Sequence, residues 1–587
     1  MKRVLAILLA AVLAASLCAC GTSPSSTETN SAAETAAPSS SSETAAAETE
    51  SSGSTVQAAE AVTDESVSAS EAAEAFTITS DDGDFTNSGS IYTISSAGTY
   101  SLQGLLEGQI LVDAGEDDDV VLELNGVTIS YGEDSPIKII SAGSVDISAK
   151  SGTENVINDN RSAETANDDS QGSGAIYAKC NLKLKGTGTL VINASYNNGV
   201  HTTKDLTIQK LALKVNAYNN ALKGNDSVTI LSGTVVAIST NGDGVKTENT
   251  DTDKNGETRG DIVISGGSVT VYAAGDAFQA AHDFELTVGE DGMVPSLVIY
   301  TGSFSGYTAS NASTSSYKGI KVQNELRILD GAVTIQSYDD GLHADYGASL
   351  DDGSTGQGTI SISGGTVTIS VYSPETQTAG GQMGPGGMGG QMGPGGMGGQ
   401  QPGGWSGQQT VSGADGIHAD YILNISGGTV NIDSAYEGLE ANIINISGGT
   451  ITVSANDDGM NACSGNKTPQ INISGGYVEV SVSTSGDTDG IDSNGTYTQT
   501  GGIVIVKGPN NQNMAALDAD GTASITGGTL ILLGYGSVST GGSVKSYSLS
   551  LHSAGSHTVM IDGVSYTFTN AESYGRTTVY SDVSVSS

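Results

Sequence analysis

The stretch Asp339-Asp340-Gly341-Leu342-His343-Ala344-Asp345 returns almost unchanged as Ala414-Asp415-Gly416-Ile417-His418-Ala419-Asp420, and the rest of the chain is organised around it. Aligning the small residue at its centre picks out Gly199, Ala221, Gly244, Ala277, Gly319, Gly341, Gly416, Gly438, Gly459, Gly490 and Ala516. The shortest steps are 22 (199 to 221), 23 (221 to 244), 22 (319 to 341), 22 (416 to 438) and 21 (438 to 459), and the longer ones carry insertions. A fixed period near 22 with one supersecondary unit per period marks a solenoid.

The residue after the small one is apolar each time: Val200, Leu222, Val245, Phe278, Ile320, Leu342, Ile417, Leu439, Met460, Ile491 and Leu517. The next residue is polar or charged, and this alternation is the period of a β-strand. A second unit, Ile-Ser-Gly-Gly-Thr-Val and its variants, recurs at Ile264, Ile362, Ile425, Ile446, Ile473 and Ile525, placing two short strands around a Gly-Gly corner. Three strands and three corners per period describe one coil of a right-handed, single-stranded parallel β-helix, an all-β solenoid whose apolar face is buried only by stacking.

Residues 1–20 combine Lys2-Arg3, an apolar run from Val4 to Leu17, and Leu17-Cys18-Ala19-Cys20. This pattern predicts a lipoprotein signal peptide with lipid on Cys20, so that the chain meets the membrane only through its anchor, on the extracellular side of a bacterial cell. Residues 21–75 are rich in Ser, Thr, Ala and Glu without Lys or Arg, a composition that cannot bury a core and predicts a disordered tether. The solenoid is expected over 76–541, and 542–587 as a C-terminal β cap with a hairpin around Asp562-Gly563. The opening strands Tyr92–Gly104 and Gly108–Ile129 are expected as the N-terminal cap.

Acidic residues outnumber basic ones by 65 to 22, and losing Lys2 and Arg3 would take the net charge from −43 to −45. Such a charge repels nucleic acid and anionic lipid, and favours cations or a polymer held through them. Of four cysteines, two belong to the signal and Cys180 and Cys463 lie many coils apart, so both are expected as free, partly buried thiols in a monomer.

The opening strands with the Ile-Ser-Gly-Gly-Thr-Val and Asp-Gly-Ile-x-Ala units resemble the parallel β-helix carbohydrate-binding domain family of bacterial surface proteins, similar in fold to pectate-type polysaccharide lyases. The resemblance implies calcium (Ca2+) bound along the coils and recognition of acidic or cellulose-like polysaccharide.

From the residues themselves comes an acidic column just before the small position, including Asp243, Asp340, Asp415, Glu437, Asp458 and Asp489. Coils about 4.8 Å apart make neighbouring carboxylates repel by roughly 3 to 4 kcal/mol at an effective dielectric of 20. Such a ladder must be solvated, protonated or bridged, and hard oxygens favour calcium; alternatively Asp and Asn sit there as turn formers. A denser candidate is Asp251-Thr-Asp253-Lys-Asn255-Gly256, which opens like a calcium loop, with Asp261 beside the place where the closing Glu is missing. Asp487, Asp489 and Asp492 form another.

The outward column changes sign along the stack, from His201, Lys223, Lys246, Lys321, His343 and His418 to Glu440, Asn461, Asp492 and Asp518. His343 and His418 are expected to stack, with Asp340, Asp345, Asp415 and Asp420 around them holding a cation. Between them the Gly/Met/Pro-rich insertion 374–412 loops out, carrying Trp405, the sole Trp; its methionines also admit a copper reading. Tyr338 and its counterparts Tyr196, Tyr218 and Tyr436 suit either a sugar platform or a corner stack.

These features predict a calcium-dependent surface protein that binds polysaccharide through His343, His418, Lys321, Trp405 and Tyr338. Two alternatives share the fold: a lyase of uronate polymers with Lys246 or Lys321 as base, and an adhesin or stalk.

Overall fold

Alternation of apolar and polar residues over runs of three to seven produces short strands whose inward side chains are shielded and whose outward ones are not, as in Leu211–Ala217 and Thr366–Val371. A computed structural model describes residues 75–162, 170–302, 316–372, 413–463, 465, 467–483, 488–510 and 514–587, within the compact unit Glu71–Ser587. Cys20, the tether, Trp405, the insertion 374–412 and Asp487 lie outside the described residues. The described residues are all-β, and 45 strands share one hydrogen-bonded sheet dominated by parallel pairings.

Each strand of a repeat pairs with its counterpart in the repeats before and after. One ladder runs through Val200, Leu222, Val245, Phe278, Ile320, Leu342, Ile417, Leu439, Met460 and Ile491 in direct register. All ten side chains are fully buried, in one continuous core with the inward residues of the other two ladders. The chain from 345 to 416 leaves this register untouched, since Leu342 pairs directly with Ile417.

The small residue is dictated by close approach. A Cβ on Gly341 would lie 2.5 Å from Ile369 Cγ2 and 2.6 Å from the Gly416 carbonyl oxygen, so larger side chains would force the stacked corners apart. At the Gly-Gly corner the second glycine takes the left-handed conformation, with φ of 74° at Gly365 and 77° at Gly428.

The N-terminal end differs from the sequence expectation. Ile91–Ile94 already pairs in parallel with Gln109–Asp113, and Gly98–Glu107 with Asp119–Tyr131, so these strands open the ladders instead of capping them. Only Thr77–Ser80 and Phe85–Ser88 run antiparallel. At the other end the hairpin Gly555–Ile561/Val564–Asn570 turns through Asp562 and Gly563, both at positive φ. Thr577–Ser581 pairs antiparallel with Thr529–Leu533 and closes that ladder's edge. A second core of Leu551, Val559, Phe568 and Val579 covers the outward side of Ile505, Ile531 and Leu533. Cys180 is buried, Cys463 is partly buried, and neither forms a disulfide.

Candidate functional site

The acidic column has a backbone role that the sequence reading did not separate from metal binding. Each short acid or amide accepts the backbone N–H of the same position one repeat further on: Asn198 from Asn220, Asn220 from Asp243, Asp243 from Asp276, Asp276 from Lys318, Asp340 from Asp415, Asp415 from Glu437, and Asp458 from Asp489. The distances are 2.7 to 3.2 Å. One oxygen of each carboxylate is thereby committed to holding the stack together. Lysine cannot accept, so at Lys318 the amide of Asp340 turns to Asp339, while the Lys318 ammonium binds both carboxylates.

The second oxygen serves the outward residue three positions on. Asp243 Oδ2 takes the Lys246 ammonium at 2.9 Å, Asp340 Oδ2 faces His343 Nδ1 at 2.8 Å, and Asp415 Oδ2 faces His418 Nδ1 at 3.0 Å. The far ring nitrogens meet Asp345 at 2.9 Å and Asp420 at 3.1 Å, and Glu440 lies 2.9 Å from His418 Nδ1. Both nitrogens of each ring face carboxylates, so both rings must donate twice, which only imidazolium can do. Burial opposes this charge, but Asp340 and Asp345 raise the His343 pKa, and Asp415, Asp420 and Glu440 raise that of His418 well above its usual value. For Asp340, burial is outweighed by Lys318 and His343, which hold its carboxyl well below the usual range.

The rings stack at 4.9 Å with a 35° tilt. They are more covered than an outward position suggests, with only 11% and 20% of their side chains exposed. Asp340, Asp345, Asp415 and Asp420, expected to hold a cation, direct oxygens at these imidazolium groups instead. Lys321 is drawn to Asp345 at 3.4 Å.

Beside this cluster stands a feature that the sequence reading missed. Tyr346, 40% exposed, packs edge-on against the partly exposed Tyr421 at 5.3 Å, and its backbone N–H is held by Asp420 Oδ2 at 2.8 Å. The signal was present, because each tyrosine follows the Asp of a His-Ala-Asp unit. Tyr338 pairs with Tyr372, 38% exposed, at 5.2 Å.

The loop expected to wrap calcium is closed on itself. Asp253 accepts the N–H groups of Asn255 and Glu257, Asp251 is paired with Arg259, and Asp261 with His282 at 2.7 Å. These oxygens turn to different partners, so the loop resembles an Asx turn more than an ion cage. It is pinned to the hairpin Tyr346–Ser349/Thr355–Gln357 through Thr250 with Asp351 and Thr258 with Asp352.

Towards the C-terminal repeats carboxylates crowd one another. Oxygens of Asp489, Asp492 and Asp518 lie within 4.8 Å of each other. Burial and neighbouring Asp489, Asp518 and Asp520 push Asp492 up to about 6; burial with Asp457, Asp492 and Asp489 pushes Asp458 up to about 7; burial with Glu440 and Asp415 pushes Glu437 up to about 9. Asn461, in register with Asp492, has a buried Oδ1 without a hydrogen-bond partner. An oxygen-only donor set with an orphaned carbonyl oxygen nearby fits calcium; the histidine cluster, with nitrogen atoms and satisfied carboxylates, does not.

Comparison with known proteins gives the family. A family model described as carbohydrate-binding domain-containing protein matches residues 88–375 and 348–459, together more than half of the chain, and the chain belongs to this family. A carbohydrate-binding domain-containing protein of Acetivibrio thermocellus is 38% identical over 117 residues, 20% of this chain and 41% of that relative, so the match spans less than half of the relative's length. A solved polysaccharide lyase-like protein from C. thermocellum, a gadolinium derivative, is 31% identical with a TM-score of 0.37, over 43% of this chain and 92% of that one.

Proposed function

We propose that this protein is a surface-anchored carbohydrate-binding protein, its repeats wound as a right-handed parallel β-helix that offers a long polymer a series of equivalent positions. The observation that carries the reading is the Tyr346–Tyr421 pair beside the His343–His418 stack: partly exposed tyrosine rings adjoin the partly exposed carboxylates of Asp345 and Asp420, which the histidines hold in place, and a sugar ring with an apolar face and a rim of hydroxyls requires such a combination. Asp420 joins the two parts, since it holds both His418 and the Tyr346 backbone. Tyr338 with Tyr372 supplies a further aromatic position.

The lyase alternative is less well supported. Lys246 and Lys321, its candidate bases, are each held by a carboxylate, Asp243 and Asp345, where proton abstraction needs an amine directed at substrate. Calcium in this proposal is bound by Asp489, Asp492 and Asp518 with the nearby Asn461 oxygen, where it would neutralise crowded carboxylates; the histidine cluster serves the sugar.

The test is affinity electrophoresis of the chain through gels containing neutral β-glucan or polygalacturonate, with calcium or chelator. Replacing Tyr346 and Tyr421 by Ala is expected to weaken retardation at least about tenfold, the equivalent of roughly 1.4 kcal/mol, with the melt unchanged. D489N/D492N should remove any dependence on calcium. Retardation unaffected by the tyrosine changes would move the site elsewhere, and none in any glycan gel would overturn the carbohydrate reading.

A further inference from the structure

At the N-terminal part of the same outward column, His201 stands between two polar side chains, Ser173 and Asn225. Ser173 Oγ lies 2.5 Å from His201 Nδ1, and His201 Nε2 lies 3.0 Å from Asn225 Oδ1. A carbonyl oxygen of an amide only accepts, so Nε2 carries the ring proton and Nδ1 is left as an acceptor for the serine hydroxyl. The hydroxyl, the ring and its orienting amide thus stand in line, the relation between nucleophile, base and third group that activates a serine.

We propose that Ser173, His201 and Asn225 form a nucleophilic centre that hydrolyses small esters, of the kind carried by O-acylated glycans. His201 is nearly buried while Ser173 remains partly exposed, so an acyl group can approach the hydroxyl with the base shielded behind it. Burial first, then the Lys223 charge, lowers the imidazole pKa to about 4, so the ring is unprotonated at neutral pH but a weaker base than free imidazole. Lys223, the register partner of His201 in the next strand, is held by Glu248 at 2.7 Å. Asn198 Nδ2 donates to the Ser173 carbonyl oxygen at 2.6 Å and the Tyr177 ring packs 5.5 Å from that of His201, fixing both partners.

In the reaction, a lone pair of Ser173 Oγ forms a bond to the acyl carbon as the hydroxyl proton passes to Nδ1. The carbonyl electrons move onto oxygen and return as the C–O bond to the alcohol breaks, and the departing alkoxide takes the proton from Nδ1. Water then repeats the sequence on the acyl-serine, giving the carboxylic acid and free serine. Water is the co-reactant, and no change of oxidation state occurs.

The choice of a glycan ester rests on the carbohydrate reading, whereas the nucleophile can be tested without it. The full chain is treated with a fluorophosphonate probe and assayed with p-nitrophenyl acetate. Labelling is expected at Ser173 by peptide mapping, lost in S173A and slowed at least about 100-fold in H201Q, with S195A, an exposed serine outside the network, unchanged. N225D distinguishes catalysis from mere packing: an orienting role predicts that the carboxylate preserves or raises the rate while N225A lowers it, with equal melting temperatures. Absence of labelling in the wild-type chain, or labelling that persists in S173A, overturns the proposal. If probes react at Ser173 but O-acetylated glycans release no acetate, the nucleophile stands and the glycan ester is wrong.

Discussion

Replacing Arg161 by Met removes a guanidinium that clamps the approach to Gly174–Ala178. Its side chain is 2% exposed and that of Asp159 is fully buried. The guanidinium gives two hydrogen bonds to the Asp159 carboxylate and one each to the carbonyls of Gly172 and Gly174. Methionine fills most of the volume but leaves the carboxylate, among the described residues, with only the backbone N–H of residue 161, at 3.1 Å. Breaking a buried pair by removing one partner costs about 3 to 5 kcal/mol, and the Gly172 carbonyl is stranded as well. Because repeat arrays open locally, the loss is best read by hydrogen exchange over 171–178. A cost of about 4 kcal/mol lowers protection there by nearly a thousandfold, up to the limit set by global unfolding. D159N/R161M should recover most of it, since the uncompensated charge is gone. Unchanged exchange in R161M, or a double variant no better than the single one, would refute the reasoning.

The imidazolium pair makes stability depend on pH. Both histidines are raised above 6.5, so their contribution is complete below that value and is lost as pH climbs through the folded-state pKa; Asp345, Asp420 and Glu440 are lowered, and theirs is lost as pH falls through theirs. The melting temperature should therefore be highest between these limits, and H343Q/H418Q should flatten the alkaline side; an unchanged alkaline slope would show that the rings are not charged. In the backbone ladder, D276A should cost about 1 to 3 kcal/mol by orphaning the Lys318 N–H. D276N keeps that acceptor and removes a carboxyl that burial and Asp243 push up to about 6, so at pH 7 it should be neutral or stabilising in urea melts; equal losses in both variants would mean the amide bond contributes nothing. Chelator should lower the melting temperature most at alkaline pH, where Glu437, Asp458 and Asp492 ionise together, and D489N/D492N should remove that difference; a melt indifferent to chelator would argue against a cation there.

Periodicity alone determined a great deal. The 22-residue spacing, the apolar residue after each small one and the Gly-Gly corners specify strand length, inward faces and register, because a one-residue slip would expose every buried side chain from Val200 to Ile491. That His343 would meet His418 across 75 residues followed from the same arithmetic. What the sequence could not decide is how each polar atom is spent. Asp415 reads equally as turn former, metal ligand or base partner; only the stacked backbone shows one oxygen on the Glu437 amide and the other on His418. Tyr346 and Tyr421 adjoin because two His-Ala-Asp units stack, and Ser173 reaches His201 because the strand it precedes pairs Gly174 with Asn198. Repeats reveal which residues are equivalent, but partnership between non-equivalent side chains is a matter of distances of a few ångströms, and those exist only once the strands are packed.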